Sequence, residues 1–484
     1  MQNSYQVDVV DTDYYRALIN CQAACPVHTD ASGYIRAISQ GEYKEGYIKA
    51  RQPNPFASAC GRVCTAPCEA ACRRGQIDSP ISIRALKRFL CQQYGVEAPD
   101  KKRAGAATSP EFLAGSDGPN SCTAESVMAL SRFRTRTGAP GEREGRKVAV
   151  IGTGPAGLTA AHDLALLGYQ VVLFEAQAFA GGKMRTEIPA PFLPGELLER
   201  EVQATIEMGV ELRYHTSIDT NRLVELKGEG YEAIFVATGG HTGHKLSRLG
   251  SGIFAEGDMP FPIPSIIWSV AAGHEAARNV DGYLKGVGAQ VARKAWMAPA
   301  VFDYDAPRDR LEVERGEPRM TPWSGEGISV RSTLALGMVS HVVSTPLSEV
   351  EDVYSEAEAR VQADRCLRCN VQTVFNGDLC ILCGGCVDVC PQNCYKMVRL
   401  DKIQGDENLE ALVQARYGKP LEAFHKGGDV LDLGTAMIKD ETRCVRCGLC
   451  AQRCPVGAIT MEAFWYEEEL VPYGTGEAAA SDPS

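Results

Sequence analysis

Residues 147–176 constrain the fold more than any other part of the chain. Their sequence, KVAVIGTGPAGLTAAHDLALLGYQVVLFEA, predicts a β-strand, a glycine turn, an α-helix and a second strand in succession. Gly152, Gly154 and Gly157 form a G-x-G-x-x-G motif, and Glu175 ends the second strand. Together they predict a βαβ unit that binds a dinucleotide, with its pyrophosphate at the helix N-terminus. Glu175 would accept a hydrogen bond from a ribose hydroxyl and repel the 2′-phosphate of NADP.

Composition limits what can surround this unit. A chain of 484 residues with 44% apolar content predicts about three domains. Its net charge is −11, and acidic and basic residues are mixed, which argues against a nucleic-acid partner. The sequence has no run of about 18 apolar residues, and its N-terminal segment does not resemble a signal peptide. We therefore expect no membrane span and a cytoplasmic protein.

Nineteen cysteines recur mostly at C-x2-C and C-x3-C spacings. In a cytoplasmic chain these spacings favour metal or iron–sulfur ligation over disulfides. The N-terminal candidates are Cys21, Cys25, Cys60, Cys64, Cys68 and Cys72. Zinc usually takes two separated C-x2-C pairs, whereas six cysteines interleaved with small residues favour a cubane cluster.

The C-terminal region contains two copies of the bacterial ferredoxin signature, C-x2-C-x2-C-x3-C-P. In this signature three cysteines bind one [4Fe-4S] cluster and the fourth binds the other. Cluster A is predicted at Cys380, Cys383, Cys386 and Cys454, and cluster B at Cys444, Cys447, Cys450 and Cys390. The long separation between the two copies predicts an inserted helical excursion.

Residues 21–89 resemble a known family. The segments CQAACPVHTD, CGRVCTAPCEAACRRG and PISIRALKRF are similar to the N-terminal iron–sulfur domain that the glutamate synthase small subunit shares with dihydropyrimidine dehydrogenase. In those relatives the domain holds two [4Fe-4S] clusters. The first cluster also uses a C-x2-C pair upstream of the position of Cys21, where this chain has RALIN. The resemblance therefore implies one N-terminal cluster as the safer count.

The ligands of that cluster follow from the same resemblance. Matching positions give it Cys25, Cys64 and Cys68. Its fourth ligand in the relatives is a glutamine or an acidic side chain, but Lys87 occupies the matching position here, and an ammonium group is a poor ligand. The fourth ligand stays open among Cys21, Cys60 and Cys72.

The family also implies FAD at the dinucleotide motif. Its members carry a second glycine pair, an Ala-Thr-Gly turn at a strand end and a later Gly-Asp pair along FAD, and this chain has all three. A following helix would point its N-terminus at the flavin. The implied cofactor-binding residues are Gly152, Gly154, Pro155, Ala156, Gly157, Glu175, Ala176, Gly182, Lys183, Ala237, Thr238, Gly239, Gly257 and Asp258.

The chain departs from the family between two of these flavin motifs. Relatives insert an NADPH-binding domain after the Ala-Thr-Gly turn, whereas Gly239 is followed here by only GHTGHKLSRLGS before GIFAEGD. A βαβ unit needs about 30 residues, so we expect no NAD(P)H site on this chain. His241 and His244 lie in the shortened junction and are either solvated turn residues or groups near the exposed flavin.

One further pair, Cys366 and Cys369, is not needed by clusters A and B. If the helix predicted before Cys366 returns the chain to the N-terminal domain, the pair would rebuild the missing cluster together with Cys21 and Cys72. Alternatively, both are small buried residues. The chain is expected to hold three or four [4Fe-4S] clusters.

The predicted architecture is an α/β FAD-binding Rossmann-like domain with an N-terminal α-helical iron–sulfur domain and a C-terminal α+β bacterial-ferredoxin-like domain. The expected segments are an iron–sulfur domain at 1–97, a linker at 98–146, an FAD-binding domain without an NAD(P)H insertion at 147–286, an insertion or connector at 287–360 and a ferredoxin-like domain at 361–484.

These cofactors predict a role in electron transfer. FAD exchanges one electron or two, whereas a cubane ordinarily carries one. We interpret the chain as a subunit of a larger oxidoreductase that relays electrons between other redox subunits, or a ferredoxin, and its own clusters. No catalytic residue is predicted. Two alternatives stay open: a self-contained NAD(P)H-dependent flavoenzyme, and a scaffold with an inert FAD and a conducting ferredoxin domain.

Overall fold

The computed structural model describes residues 4–9, 12–98, 145–239, 251–255, 265–286, 289–299, 353–425 and 434–472. These residues belong to two compact units. Within the described ranges, the larger unit comprises Cys21–Lys294, Arg315–Cys366 and Glu467–Ser484, and the smaller unit comprises Met1–Asn20, Ala295–Glu314 and Leu367–Tyr466. The larger unit contains the dinucleotide motif and the smaller unit contains both ferredoxin signatures.

The N-terminal segment is helical after a short strand, β1 (Tyr5–Val7). Its helices are α1 (Thr12–Ala17), α2 (Asn20–Ala23), α3 (Ala31–Gln40), α4 (Tyr43–Arg51), α5 (Ala57–Val63), α6 (Pro67–Ala70) and α7 (Ile83–Tyr94). Helix α3 begins where the Asp30 carboxylate accepts a hydrogen bond from Gly33 N at 2.8 Å, and it ends at Gly41, whose φ is +81°. Gly61 lets α5 approach α7, because a Cβ there would lie 3.0 Å from Arg88 Cα.

A five-stranded parallel sheet forms the core of the dinucleotide-binding domain. Its strands are β2 (Lys147–Ile151), β3 (Gln170–Phe174), β4 (Glu211–Arg213), β5 (Tyr231–Val236) and β6 (Ile253–Ala255). Its helices are α8 (Pro155–Leu166), α9 (Lys183–Thr186), α10 (Gly195–Ile206), α11 (Thr220–Gly228) and α12 (Ile266–Lys285). The strand order is β4-β3-β2-β5-β6, and all neighbours are parallel. The order reverses beside β2, and open α/β sheets bind ligands at the carboxyl ends of their strands at such a point.

Burial explains why these residues form a parallel sheet. Strands β2 and β3 are continuous apolar runs in which every residue after the first is buried, as expected for strands covered on both faces. Helices α8 and α12 pack closely on one another because Gly273 lacks a side chain. A Cβ at Gly273 would lie 2.4 Å from the carbonyl oxygen of Ala156.

Two buried polar contacts join the helical domain to the dinucleotide-binding domain. Glu201 on α10 accepts a hydrogen bond from Ser58 N at 2.7 Å, and Ala59 N lies 3.3 Å from its other oxygen. The N-terminus of α5 is thereby capped by a carboxylate from the other domain. On α12, His274 Nε2 donates to the Pro53 carbonyl at 3.0 Å.

The connector region returns the chain to the helical domain. It contains strand β7 (Ala289–Pro299), which the sequence analysis did not predict, and helix α13 (Glu356–Asp364). A capping box of Ser355 and Glu358 begins α13. The helix packs on α3, where Ser39 Oγ donates to Asp364 Oδ1 at 2.5 Å, and Gln362 Nε2 donates to Ser82 Oγ at 3.0 Å. The helix predicted before Cys366 is present, and it packs on the N-terminal domain, which meets the condition stated for the rebuilt cluster.

The smaller unit combines short strands and helices. They are β8 (Val371–Phe375), α14 (Gly385–Val389), β9 (Tyr395–Arg399), β10 (Ile403–Gly405), α15 (Glu407–Tyr417), α16 (Leu421–His425), β11 (Thr435–Lys439), α17 (Leu449–Arg453) and β12 (Ile459–Pro472). Strand β12 pairs antiparallel with β8, β11 pairs antiparallel with β9, and β1 pairs parallel with β10. Helices α15 and α16 confirm the predicted helical excursion between the two ferredoxin signatures.

Glu201 makes the stability of the larger unit depend on pH. Burial raises the pKa of its carboxyl to about 8, although the N–H groups of Ser58 and Ala59 and the charge of Arg51 favour the ionised form. In an unfolded chain the pKa of a glutamate is about 4.3. The folded state therefore holds the proton more tightly. The protonated Glu201 side chain therefore contributes fully to stability below its pKa in the unfolded chain, about 4.3, and this contribution is lost as the pH rises through its pKa in the folded protein, about 8.

We expect Glu201→Gln, which keeps an acceptor oxygen but cannot ionise, to remove this dependence. From about pH 6 to pH 8, the free energy of unfolding of the native protein should fall relative to that of the variant by up to about 1.4 kcal/mol per pH unit. Anaerobic urea denaturation followed by circular dichroism measures this difference. Glu196→Gln, at an exposed position on the same helix, serves as the control. Parallel pH profiles for native protein and Glu201→Gln would contradict the expectation.

Candidate dinucleotide and iron–sulfur sites

A cleft of about 620 Å³ lies at the carboxyl ends of β2, β3 and β5. Of the predicted cofactor-binding residues, those that line it are Gly152, Gly154, Pro155, Ala156, Glu175, Ala176, Gly182, Lys183, Ala237, Thr238 and Gly239. The structure therefore brings together residues from three separate motifs of the sequence. The predicted Gly257 and Asp258, and the junction residues His241 and His244, lie outside the described residues.

The glycines of the first motif differ in what surrounds them. Gly152 has a φ of +99°, and a Cβ there would lie 2.4 Å from the Ala237 carbonyl oxygen. Gly157 does not line the cleft, because it packs α8 against the turn: its Cβ would lie 2.0 Å from the Gly152 oxygen. A Cβ at Gly154 would meet no described protein atom within 4 Å. Gly154 therefore borders free space in the cleft, where backbone approaches pyrophosphate in this motif.

Glu175 is held at the cleft by its neighbours and is 8% exposed. Its Oε2 accepts hydrogen bonds from the N–H group of Thr153 at 3.1 Å and from the Thr153 hydroxyl. Its Oε1 accepts one from Gln177 N at 2.8 Å. A carboxylate oxygen accepts two hydrogen bonds, so Oε1 keeps one lone pair for a ribose hydroxyl.

The hydroxyl-bearing residues of the cleft that the sequence analysis missed include Thr216, Ser217, Ser265 and Ser269. Thr216 and Ser217 follow β4, whose carboxyl end lies at the same edge of the sheet. Ser265 and Ser269 lie at the start of α12. Thr216 and Ser217 could have been found from the sequence, because they directly follow a predicted strand and the carboxyl ends of parallel strands lie at the same edge of a sheet.

Thr65 joins the N-terminal domain to the wall of this cleft. Its Oγ1 lies 3.2 Å from Ser265 Oγ, and Ser265 lines the cleft. The preceding residue, Cys64, packs against an apolar cluster that contains residues of both domains. A predicted cluster ligand is therefore adjacent in sequence to a residue that contacts the wall of the dinucleotide cleft, within a single compact unit.

Four N-terminal thiols influence the buried ammonium group of Lys87. They are Cys25, Cys60, Cys64 and Cys68. Burial by itself would lower the pKa of Lys87, but the negative charges of these thiols outweigh it and the pKa is raised. A hydrogen bond from the Cys60 thiol, supported by Lys87 and Ala66 N, lowers the pKa of Cys64 to about 7 although burial opposes it. Lys87 is thus the buried cation shared by Cys60 and the three implied ligands, and the fourth ligand stays a prediction.

Cys21, Cys72 and Cys366 pack against the apolar cluster of the N-terminal domain. Arg74 NH1 donates to the Arg365 carbonyl at 3.2 Å, which ties the segment after α13 to the segment after Cys72. Cys369 belongs to the smaller unit. The four-thiol site predicted for Cys21, Cys72, Cys366 and Cys369 stays a prediction.

Residues with a left-handed backbone conformation recur two or three positions after cysteines. Seven non-glycine residues have positive φ in the part of the chain that the structure describes, and six of them follow a cysteine by two or three positions. They are His28, Ala66, Arg368, Leu382, Asn393 and Arg446. Ala66 N donates to Cys64 Sγ at 3.3 Å, and Leu382 N donates to Cys380 Sγ at 3.4 Å. Turns of this kind point backbone N–H groups at anionic groups, including iron–sulfur clusters.

The two ferredoxin signatures fold as a repeat whose copies lie 64 positions apart. Matched residues share positive φ: Leu382 with Arg446, Gly384 with Gly448, and Asn393 with Gly457. Both copies place a short helix, α14 or α17, between their third and fourth cysteines. The backbone of each copy therefore presents its cysteines in the same way.

The predicted ligands of cluster B line one small cavity. Cys390, Cys444, Cys447 and Cys450 all border this cavity, whose volume is about 20 Å³. A hydrogen bond from the Cys394 thiol and the charges of Arg446 and Lys439 lower the pKa of Cys444 to about 3, although burial opposes them. Arg446 is buried and donates to Glu441 Oε2 at 2.7 Å. A thiolate is the form that binds iron, so this environment favours ligation.

The predicted ligands of cluster A lie nearer the surface. Burial raises the pKa of Cys386, and the charges of Cys380 and Cys383 raise it further. Cys386 and Cys454 belong to one apolar cluster, while Cys383 is exposed. The same apolar cluster also contains Cys444 and Cys450 of cluster B, so the crossing of Cys454 to cluster A stays a prediction.

Neither a single-ion site nor a membrane-spanning helix occurs among the residues that the structure describes. In the described ranges no three His, Cys, Asp or Glu side chains converge closely enough to hold a single ion. A cubane binds each thiolate at a different iron and so holds its ligands farther apart than a single ion does. Among the described helices, none has the length and apolar character of a bilayer-spanning segment.

Three family models match the chain. They are the dihydropyrimidine dehydrogenase domain II 4Fe-4S cluster at residues 17–97, an NAD(P)-binding Rossmann-like domain at 150–211 and a 4Fe-4S dicluster domain at 379–458. The chain carries all three domains. The resemblance and the fold class expected from the sequence are thereby confirmed.

The chain resembles parts of several whole proteins. The beta subunit of NADP(+)-dependent formate dehydrogenase from Moorella thermoacetica is 32% identical over 72% of this chain and 46% of its own length. Subunit PreT of NAD-dependent dihydropyrimidine dehydrogenase from Salmonella typhimurium is 30% identical over 55% of this chain and 59% of its own length. Glutamate synthase [NADH] of Schizosaccharomyces pombe is 29% identical over 45% of this chain and 9% of its own length. The chain thus spans well under two thirds of each relative.

We expect Gly154→Val to abolish retention of the dinucleotide without unfolding the chain. Gly154 has a φ of −66°, which valine adopts, and its Cβ would enter free space in the cleft rather than strike protein. Gly228→Val is the matched control, because a Cβ there also meets no described atom but lies on α11, away from the cleft. Chromatography of acid-released cofactor measures occupancy. A Gly154→Val protein with native occupancy would contradict the expectation.

Proposed function

We propose that this chain is an electron-transfer subunit of a larger oxidoreductase, in which FAD exchanges electrons with iron–sulfur clusters. The observation that carries the proposal is the contact between Thr65 and Ser265, which places the Cys64 segment against the cleft wall. A flavin in that cleft and a cluster on Cys64 would be neighbours within one compact unit. The relatives named as oxidoreductase subunits support this function.

The residues of the cleft fit FAD. Gly154 leaves room for a pyrophosphate at the N-terminus of α8, where backbone N–H groups and the helix dipole favour anions. Oε1 of Glu175 has a lone pair for a ribose hydroxyl, and its charge disfavours a 2′-phosphate. When bound, FAD would accept or donate one electron or two. The chain itself binds, orients and shields the cofactor.

The proposed clusters number at least three. The N-terminal one uses Cys25, Cys64 and Cys68, and we assign its fourth thiolate to Cys60, because Cys60 shares Lys87 with these three and hydrogen-bonds to Cys64. The other two are clusters A and B on the ligands named above. A cubane contains four irons, so a fully loaded chain should carry about 12 irons. We also propose a cytoplasmic location, in keeping with thiols at cluster spacing.

A second candidate function is favoured by the Rossmann-like match. That model is described as NAD(P)-binding, and the relatives are named for NADP(+) or NAD. A nicotinamide cofactor would then be oxidised on this chain. Against this function, only residues 237–252 separate β5 from the adjacent β6, whereas a second βαβ unit needs about 30 residues. We therefore propose that the nicotinamide site lies on a partner subunit.

The flavin-loaded chain, purified without partners, should neither bind NADH or NADPH nor be reduced by them at a useful rate. Dithionite should bleach both flavin and clusters in the same preparation, which shows that the cofactors are competent. Anaerobic titration calorimetry and the flavin absorbance measure the two properties. A micromolar dissociation constant, about −8 kcal/mol, or rapid bleaching by NADPH would support the second candidate. A flavin that stays oxidised while the clusters are reduced would support the scaffold alternative.

A further inference from the structure

Cys394 is a ninth cysteine in the ferredoxin repeat, and the two signatures do not require it. It lies four positions after Cys390, the residue that crosses from the first signature to cluster B. Its side chain is 2% exposed, so it is fully part of the interior of the smaller unit. Its surroundings are therefore set by the fold and not by solvent.

The surroundings of Cys394 are the proposed ligands of cluster B. Cys394 lines the same cavity as Cys390, Cys444, Cys447 and Cys450. Its N–H group donates to Cys390 Sγ at 3.3 Å, and its thiol is within hydrogen-bonding reach of the sulfurs of both Cys390 and Cys444. Five cysteines thus border a space in which a cubane uses four.

The repeat provides an internal comparison for this thiol. The residue that matches Cys394 in the second copy is Ala458, whose N–H group donates to Cys454 Sγ at 3.2 Å. The backbone arrangement is the same in both copies, with Asn393 or Gly457 at positive φ just before it. A methyl group is therefore enough for the fold and for the N–H···S bond. The thiol of Cys394 is an addition found on the cluster B side only.

We propose that Cys394 is a second thiol for the coordination position that Cys390 fills on cluster B. The inference rests on the proposed function, because it assumes the ligands assigned to that cluster. In an exchange, the Cys390–iron bond breaks and the Cys390 sulfur takes up a proton, while Cys394 loses its proton and its sulfur bonds to the same iron. No electrons are transferred, and the charge of the site is unchanged. Cluster A has no equivalent, since Ala458 cannot coordinate iron.

Alanine variants of the full-length, cluster-loaded protein test the proposal. Cys390→Ala should retain the iron and acid-labile sulfide of the native protein, because Cys394 takes over the position. Cys454→Ala is the matched control on cluster A, and it should lose between one iron and a whole cubane of four. The double variant Cys390→Ala, Cys394→Ala should lose as much as the control. Adding Ala458→Cys to Cys454→Ala should restore the lost iron.

Failure of this inference and failure of the proposed function would give different experimental results. Iron and sulfide content are compared with the electron paramagnetic resonance spectrum of the reduced protein, and circular dichroism confirms that each variant is folded. Equal loss of iron from Cys390→Ala and Cys454→Ala would overturn the inference. Loss of iron from Cys394→Ala alone would also overturn it, because Cys394 would then be the primary ligand. Absence of two ferredoxin-type clusters from the native protein would refute the proposed function instead.

Discussion

Negative charge on buried sulfur is the constraint on which both units depend. A thiolate taken out of water is stable only beside hydrogen-bond donors or a cation. The larger unit provides Lys87, which lies buried among four thiols, and the smaller unit provides Arg446 next to Cys444. Left-handed residues after the cysteines add N–H donors, as Ala66 does for Cys64. The chain therefore tolerates strained backbone and buried cations where its thiols are placed.

Close backbone contact is the second requirement, and it sets the spacing between the proposed cofactors. Gly157 and Gly273 bring α8 to its strand and α12 to α8. That packing puts the start of α12, with Ser265, beside both the cleft and Thr65. Larger residues at these glycines would push α12 outward and widen the gap between the cleft and Cys64. Electron exchange between two centres depends steeply on such a gap, so packing and function are linked here.

Local patterns in the sequence predicted the parts of the sites that local chemistry defines. The motif around Gly154 and the spacing of Cys380 and Cys444 require particular residue types at fixed separations, and the structure assembles them as expected. Contacts between distant segments left no such pattern. Ser265 lines the cleft because of where α12 packs, and strand β7 forms because it finds a partner in a three-stranded sheet. Periodicity cannot reveal either one.

Lys87 and Cys394 show a different limit of sequence reasoning. Lys87 occupies the position of a cluster ligand in the relatives, and the resemblance predicts only that it is a poor ligand. The structure shows that Lys87 is a buried counter-charge for the thiols. Cys394 lies outside both signatures, and its meaning depends on the cavity it shares with Cys390 and Cys444. In each case the residue type was visible, but its role came from neighbours that the fold supplies.

Helix α13 has a consequence for how this chain can be divided. Although it follows the dinucleotide-binding domain in sequence, it contributes Ala359 and Ala363 to the apolar core of the helical domain, and Tyr354 just before the helix belongs to the same core. A gene fragment that stops at residue 97 would encode that domain with part of its core missing. The domain is therefore discontinuous in sequence. Recombination that exchanges it between proteins would need to carry residues 353–366 along with the N-terminal segment.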